Sequence, residues 1–149
     1  MFKKKKSVFS HPASKRKMLC LAMGLGFGFL CAYLASSGME GQDFWWTPLM
    51  WSIVINRTLI GFVVFVLGAY NYIPLFKSKY PAWLRGAAIG ALFSLGMATG
   101  IFMNPEMAEE ATMIFWMTIA AGAMYGLIID SVATALFGDG KKLTEGWQK

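Results

Sequence analysis

Four apolar stretches divide the chain, and none alternates polar with apolar residues. Met18–Ser37 runs 20 residues without a charge. Pro48–Phe76 is broken only by Arg57, and the span within it is set at 48–73. Gly86–Pro105 is charge-free, with the third span at about 84–104. Ala111–Gly138 is broken only by Asp130, giving a fourth span at 111–137. About 20 apolar residues cross the hydrocarbon core as a helix, whereas barrel strands are about half that length and alternate. Backbone polar groups in lipid must be satisfied within the segment, so these spans predict helices. The expected fold is all-α: a polytopic membrane protein with a transmembrane domain over residues 18–138. A basic segment precedes it (1–17) and a short tail follows (139–149).

Composition agrees with that reading. Hydrophobic residues make up 56% and charged residues 15%, against about 25% charged in soluble domains. Mean hydropathy is +0.50. The net charge of +6 is segregated rather than spread. Of the 14 basic residues, all but Arg57 fall before the first span, between spans two and three, or after span four. The other two loops hold Glu40, Asp43, Glu106, Glu109 and Glu110 and no basic residue. The positive-inside rule then places both termini in the cytoplasm. Trp45, Trp46, Trp51 and Trp116 mark the outer interface, and Tyr70, Tyr72, Tyr80 and Trp83 the inner one. Charge gathered on one face of a membrane needs no nucleic-acid partner. Lys3, Lys4, Lys5, Lys6, Lys15, Arg16 and Lys17 are expected to contact anionic lipid or an acidic partner. The first span is too long for the core of a cleaved signal peptide. Cys20 and Cys31 lack the preceding small residues of a lipidated cysteine.

Sliding the chain by 65 residues lays Trp51 on Trp116 and Gly61 on Gly126. A slide of 66 lays Ala22, Gly24, Phe27 and Ala32 on Ala88, Gly90, Phe93 and Ala98. Such offsets suggest a two-helix hairpin used twice, as in parallel-repeat membrane proteins. Small residues recur four or seven apart: Cys20, Gly24 and Gly28; Gly61 and Gly68; Gly86, Gly90 and Ser94; Gly96 and Gly100; Gly122 and Gly126. In lipid such stripes carry helix packing, because apolar contact alone gives helices no reason to associate. Within one chain they pack helix on helix, and a spare stripe would dock a partner or a second copy.

Candidate chemistry is sparse. The lone histidine, His11, lies outside the spans, which argues against imidazole-held metals or haem at depth. Two cysteines exclude a four-thiolate site. Eleven residues of helix hold them about 16 Å apart, too far for a disulfide. No catalytic motif or cofactor site emerges, and the chain is expected not to be an enzyme. Arg57 and Asp130 are the two ionisable residues within the spans, and such residues are functional candidates by default. Arg57 either snorkels to the outer interface or turns into the bundle with Gly61 and Gly68. Asp130 continues the Gly122–Gly126 stripe. It is either uncharged and bonded to Ser131, Thr134 or Ser94, or paired with a basic residue such as Arg85, or ion-handling. A direct Arg57–Asp130 pair is not expected, since the repeat frame separates them by about 12 Å of helical rise.

The runs Asn56-Arg57-Thr58-Leu59-Ile60-Gly61-Phe62 and Trp83-Leu84-Arg85-Gly86-Ala87-Ala88-Ile89-Gly90, with Asp130 after Gly126-Leu127-Ile128-Ile129, resemble stretches of small four-span bacterial membrane proteins of no assigned activity. That resemblance implies a bacterial inner membrane and no reaction. The span number is also similar to that of small multidrug transporters. Those carry an essential acidic residue in their first span, and this first span has none. The expectation is therefore a non-enzymatic membrane subunit or scaffold, packed within a homo-oligomer or a larger complex. The alternative is a small oligomeric transporter or channel using Asp130.

Overall fold

A computed structural model describes residues 11–37, 44–69, 72–73, 78–79, 81–103, 109–140 and 143. Four helices dominate it: α1 (Pro12–Ser36), α2 (Pro48–Gly68), α3 (Ala82–Gly100) and α4 (Ala111–Phe137). Each is long and apolar enough to cross a membrane. Three-residue 3-10 turns, Phe44–Trp46 and Ile101–Met103, lead into α2 and prolong α3. A two-residue antiparallel ribbon, β1 (Tyr72–Ile73) with β2 (Ser78–Lys79), joins the two hairpins.

The largest departures from the expected boundaries are at α1 and α2, while α3 opens at Ala82 rather than 84 and ends as an α-helix at Gly100. α1 opens at Pro12, not Met18, so Lys15, Arg16 and Lys17 lie inside a helix rather than in a leading segment. The local cause is a good N-terminus. Proline occupies the first helical position, and the His11 ring accepts from the Ala13 amide. α2 stops at Gly68, five residues short of the expected 73. Pro74 disfavours helical backbone at Ile73, and Tyr72 and Ile73 pair across the ribbon instead. The starts of α2 and α4 and the end of α4 fall where the apolar pattern put them.

The burial pattern is inverted relative to a water-soluble bundle. Buried residues make up only 22–39% of the most apolar window of each helix. Leu34, Ile55, Leu92 and Leu136 point outward, as side chains solvated by lipid do. What lies inside is small, or polar and paired. α1 packs chiefly on α2 and α3 chiefly on α4. Each pair is antiparallel, since Cys20 faces Gly61 while Gly28 faces Val54, and Gly86 faces Gly126 while Gly90 faces Gly122.

Those crossings repeat. Gly61 abuts the Cys20 carbonyl, and Gly126 abuts the Gly86 carbonyl. The two contacts are related by shifts of 65 and 66 residues, the offsets that align the sequences. A side-chain carbon on Gly61 would come 3.3 Å from the Gly24 Cα, and one on Gly126 would come 3.1 Å from the Gly90 Cα. The two hairpins therefore share one packing register. All eight glycines singled out as packing positions (Gly24, Gly28, Gly61, Gly68, Gly86, Gly90, Gly122 and Gly126) lie where an added Cβ meets neighbouring atoms.

Inside, the bundle is layered. Next to the polar end lies an apolar layer of Cys20, Ile60, Val64, Ile89, Ile129 and Ala133. Nearer the opposite end lies a second one, of Ala32, Phe44, Met50, Ile53 and Val54. Polar side chains fill the two levels described next.

Candidate functional site: a buried arginine–aspartate clamp and a lone arginine

The N-terminal ends of α1 and α3 meet the C-terminal end of α4. Asp130, fully buried, is bound there from two sides. Arg85 on α3 donates Nε to Oδ2 at 2.8 Å and Nη2 to Oδ1 at 2.9 Å, a bidentate fork. Arg16 on α1, itself fully buried, donates Nη2 to Oδ1 at 2.7 Å. One carboxylate thus joins one helix of each hairpin to α4.

Three more groups complete this level. The Thr134 hydroxyl, one turn along α4, donates to Asp130 Oδ1 at 3.2 Å and accepts from Arg16 Nη1 at 3.1 Å. Arg16 Nη1 also donates to the Gly138 carbonyl at 2.6 Å. Asp139 lies 4.0 Å from Arg85 Nη1. Two guanidinium cations therefore face two carboxylates, and the cluster carries no formal net charge. The chain beyond α4 closes it. Gly138 and Gly140 adopt φ of 77° and 54°, a left-handed turn that glycine makes without steric penalty. That turn lets the Gly140 amide donate to the Gly68 carbonyl at the end of α2.

Glycines make the clamp possible. At Gly68 any side chain would collide with the Arg16 guanidinium, and at Gly86 a Cβ would sit 2.7 Å from the Asp130 Cβ. The guanidinium of α1 therefore needs a bare backbone on α2, and the carboxylate of α4 needs one on α3.

About 14 Å further along α3, by helical rise, lies the second polar level. Arg57 sits near the middle of α2 and is 3% exposed. Its Nη1 donates to the Ser94 hydroxyl and, at 3.3 Å, to Asn56 Oδ1. Asn56 in turn donates Nδ2 to the Phe93 carbonyl at 3.0 Å. The Arg57 guanidinium carbon lies 5.5 Å from the centre of the Tyr125 ring, a cation–π distance. That ring stacks on Phe27, and its hydroxyl takes a 3.3 Å contact from Cys31 Sγ.

Several expectations change. Arg16 is not a lipid or partner contact, because Asp130 and Thr134 bury it, whereas Lys15 and Lys17 are exposed. Lys3, Lys4, Lys5 and Lys6 lie outside the described residues. Ser94 binds Arg57, not Asp130, since it lies one polar level away. Ser131 is half-buried and makes no hydrogen bond to Asp130, while Thr134 does. Arg57 turns inward rather than snorkelling. Among the described residues Arg57 and Asp130 do not pair.

Sequence reasoning missed Arg16 and Tyr125. Arg16 carried a signal: it precedes Cys20, Gly24 and Gly28 at steps of four and so extends the same stripe. It escaped notice because two flanking lysines made the segment look solvated. Tyr125 carried none, being one aromatic among many.

No protein-family model, curated protein or solved structure matches this chain.

Proposed function

We propose that the chain is a non-enzymatic integral membrane subunit or scaffold. In this reading it sits in a bacterial inner membrane with both termini cytoplasmic. It packs a glycine-lined helix face against copies of itself or against other subunits of a larger complex. The observation that carries the reading is the Gly96–Gly100 pair on α3. The eight packing glycines abut neighbouring atoms, but a Cβ at Gly96 or Gly100 meets nothing within 4 Å. This open stripe is flanked by the exposed Leu92, Leu95 and Met103. Close helix approach through small residues is what holds membrane subunits together, and here one such face is unused by the described residues. Transport through Asp130 has less support, since guanidinium donors occupy both carboxylate oxygens.

Native mass spectrometry of gently extracted protein tests the reading. Wild type is expected to appear with other subunits or as an oligomer. Gly96→Leu and Gly100→Leu are expected to release it as a folded monomer. A wild type that is monomeric throughout, or variants that keep the full assembly, would contradict it. A tag on Lys149 is expected to stay protected from impermeant reagents in intact cells.

A further inference from the structure

The two hairpins divide their charge unequally. In α3–α4 the Arg85 fork meets the Asp130 carboxylate, with donors 2.8 and 2.9 Å from its two oxygens. Thr134 adds a further bond from α4 itself. That pair is complete within its own hairpin. Helices α1 and α2 contain no acidic residue, yet they bury two guanidinium groups, Arg16 and Arg57. Arg16 donates to Asp130, Thr134 and the Gly138 carbonyl, all in the second half of the chain. Arg57 donates to Ser94 on α3 and lies over the Tyr125 ring on α4. Only its 3.3 Å bond to Asn56 stays within α2, and Asn56 is itself tied to the Phe93 carbonyl of α3.

Separating the hairpins would therefore affect them differently. The second would keep a neutral, hydrogen-bonded Arg85–Asp130 pair. The first would keep two cations and lose nearly all of their partners. Arg57 lies nine residues from the start of α2, about 14 Å by helical rise. A cation at that depth without a partner is strongly disfavoured. Each hairpin would hold together meanwhile, because Gly24 and Gly28 abut the α2 backbone while Gly86 and Gly90 abut the α4 backbone.

We infer that α3–α4 is a self-sufficient anchor and that α1–α2 is a dependent unit that opens separately, held in place by the partners α3–α4 provides for Arg16 and Arg57.

Hydrogen exchange resolved to individual helices, on the full-length protein in one detergent, tests this. In wild type α1 and α2 are expected to exchange together, and faster than α3 and α4. Ser94→Ala removes a partner of Arg57 while leaving α1, α2 and the clamp unchanged in sequence. It is expected to speed exchange in α1 and α2 by about tenfold, because a buried charge loses its hydrogen bond, with α3 and α4 keeping their wild-type rates. Adding Arg57→Met to Ser94→Ala removes the cation itself and is expected to reverse most of that acceleration. A loss of packing at Ser94 would not be relieved by the second change. The inference is overturned if α3 and α4 exchange as fast as α1 and α2 in wild type. It is also overturned if Ser94→Ala speeds both hairpins equally or speeds neither, or if Arg57→Met leaves the effect of Ser94→Ala in place.

Discussion

Removing the Asp130 carboxylate leaves the guanidinium groups of Arg16 and Arg85 facing each other in a dry site, with Asp139 near one of them. Breaking a buried ion pair from one side costs about 3–5 kcal/mol, because the remaining charge stays buried. Asp130→Asn is accordingly expected to lower the unfolding temperature sharply and to reduce accumulation of the protein in the membrane. Unchanged accumulation with loss of some transport activity would instead mark Asp130 as functional. The glycines provide a matched pair of substitutions. Gly90→Ala would press a methyl group into the Gly122 carbonyl, and such overpacking typically costs about 1–3 kcal/mol. Gly26→Ala, where a Cβ meets nothing within 4 Å, is expected to be neutral or to stabilise by up to about 1 kcal/mol through helix propensity. Thermal unfolding of both variants in one detergent gives the comparison directly.

At the scale of the element, the turn after α4 holds the clamp shut, and both of its glycines have positive φ. Gly140→Val is expected to cost about 1–2 kcal/mol of backbone strain. It should also speed hydrogen exchange at the Gly140 amide, which donates to Gly68. The four helices were legible in the sequence because lipid imposes a simple rule of length and apolarity, and the spans at 48 and 111–137 obeyed it. The end of α2 was less legible because apolarity continues to Phe76 after the helix stops, and a proline rather than a charge marks the break. The start of α1 was obscured the other way. Charge predicts solvent, yet Arg16 lies within a helix and is fully buried, because Gly68 leaves room for its guanidinium. Which arginine meets Asp130 is a tertiary fact. Arg85 was reachable by reasoning, since it borders the Gly86 stripe, while Arg16 required the α1–α4 contact.

For the whole molecule, two hairpins with the same internal register are joined by contacts outside the repeat. Arg16 and Arg85 do not occupy equivalent positions under the 66-residue shift, and Asp130 aligns with Phe65 under the 65-residue shift. Packing of each hairpin is thus a shared property, while the clamp is specific to how the two are joined. Co-expressed fragments 1–75 and 76–149 are expected to co-purify from membranes through this junction, and Arg16→Met in the first fragment is expected to weaken their recovery together. Arg16 and Asp130 act as one unit across the junction. A double-mutant cycle on Arg16→Met and Asp130→Asn, read as unfolding free energy in detergent, addresses it most directly. The predicted result is a double variant less damaged than the sum of the single variants by more than about 1 kcal/mol. Additivity to within about 0.5 kcal/mol would contradict it.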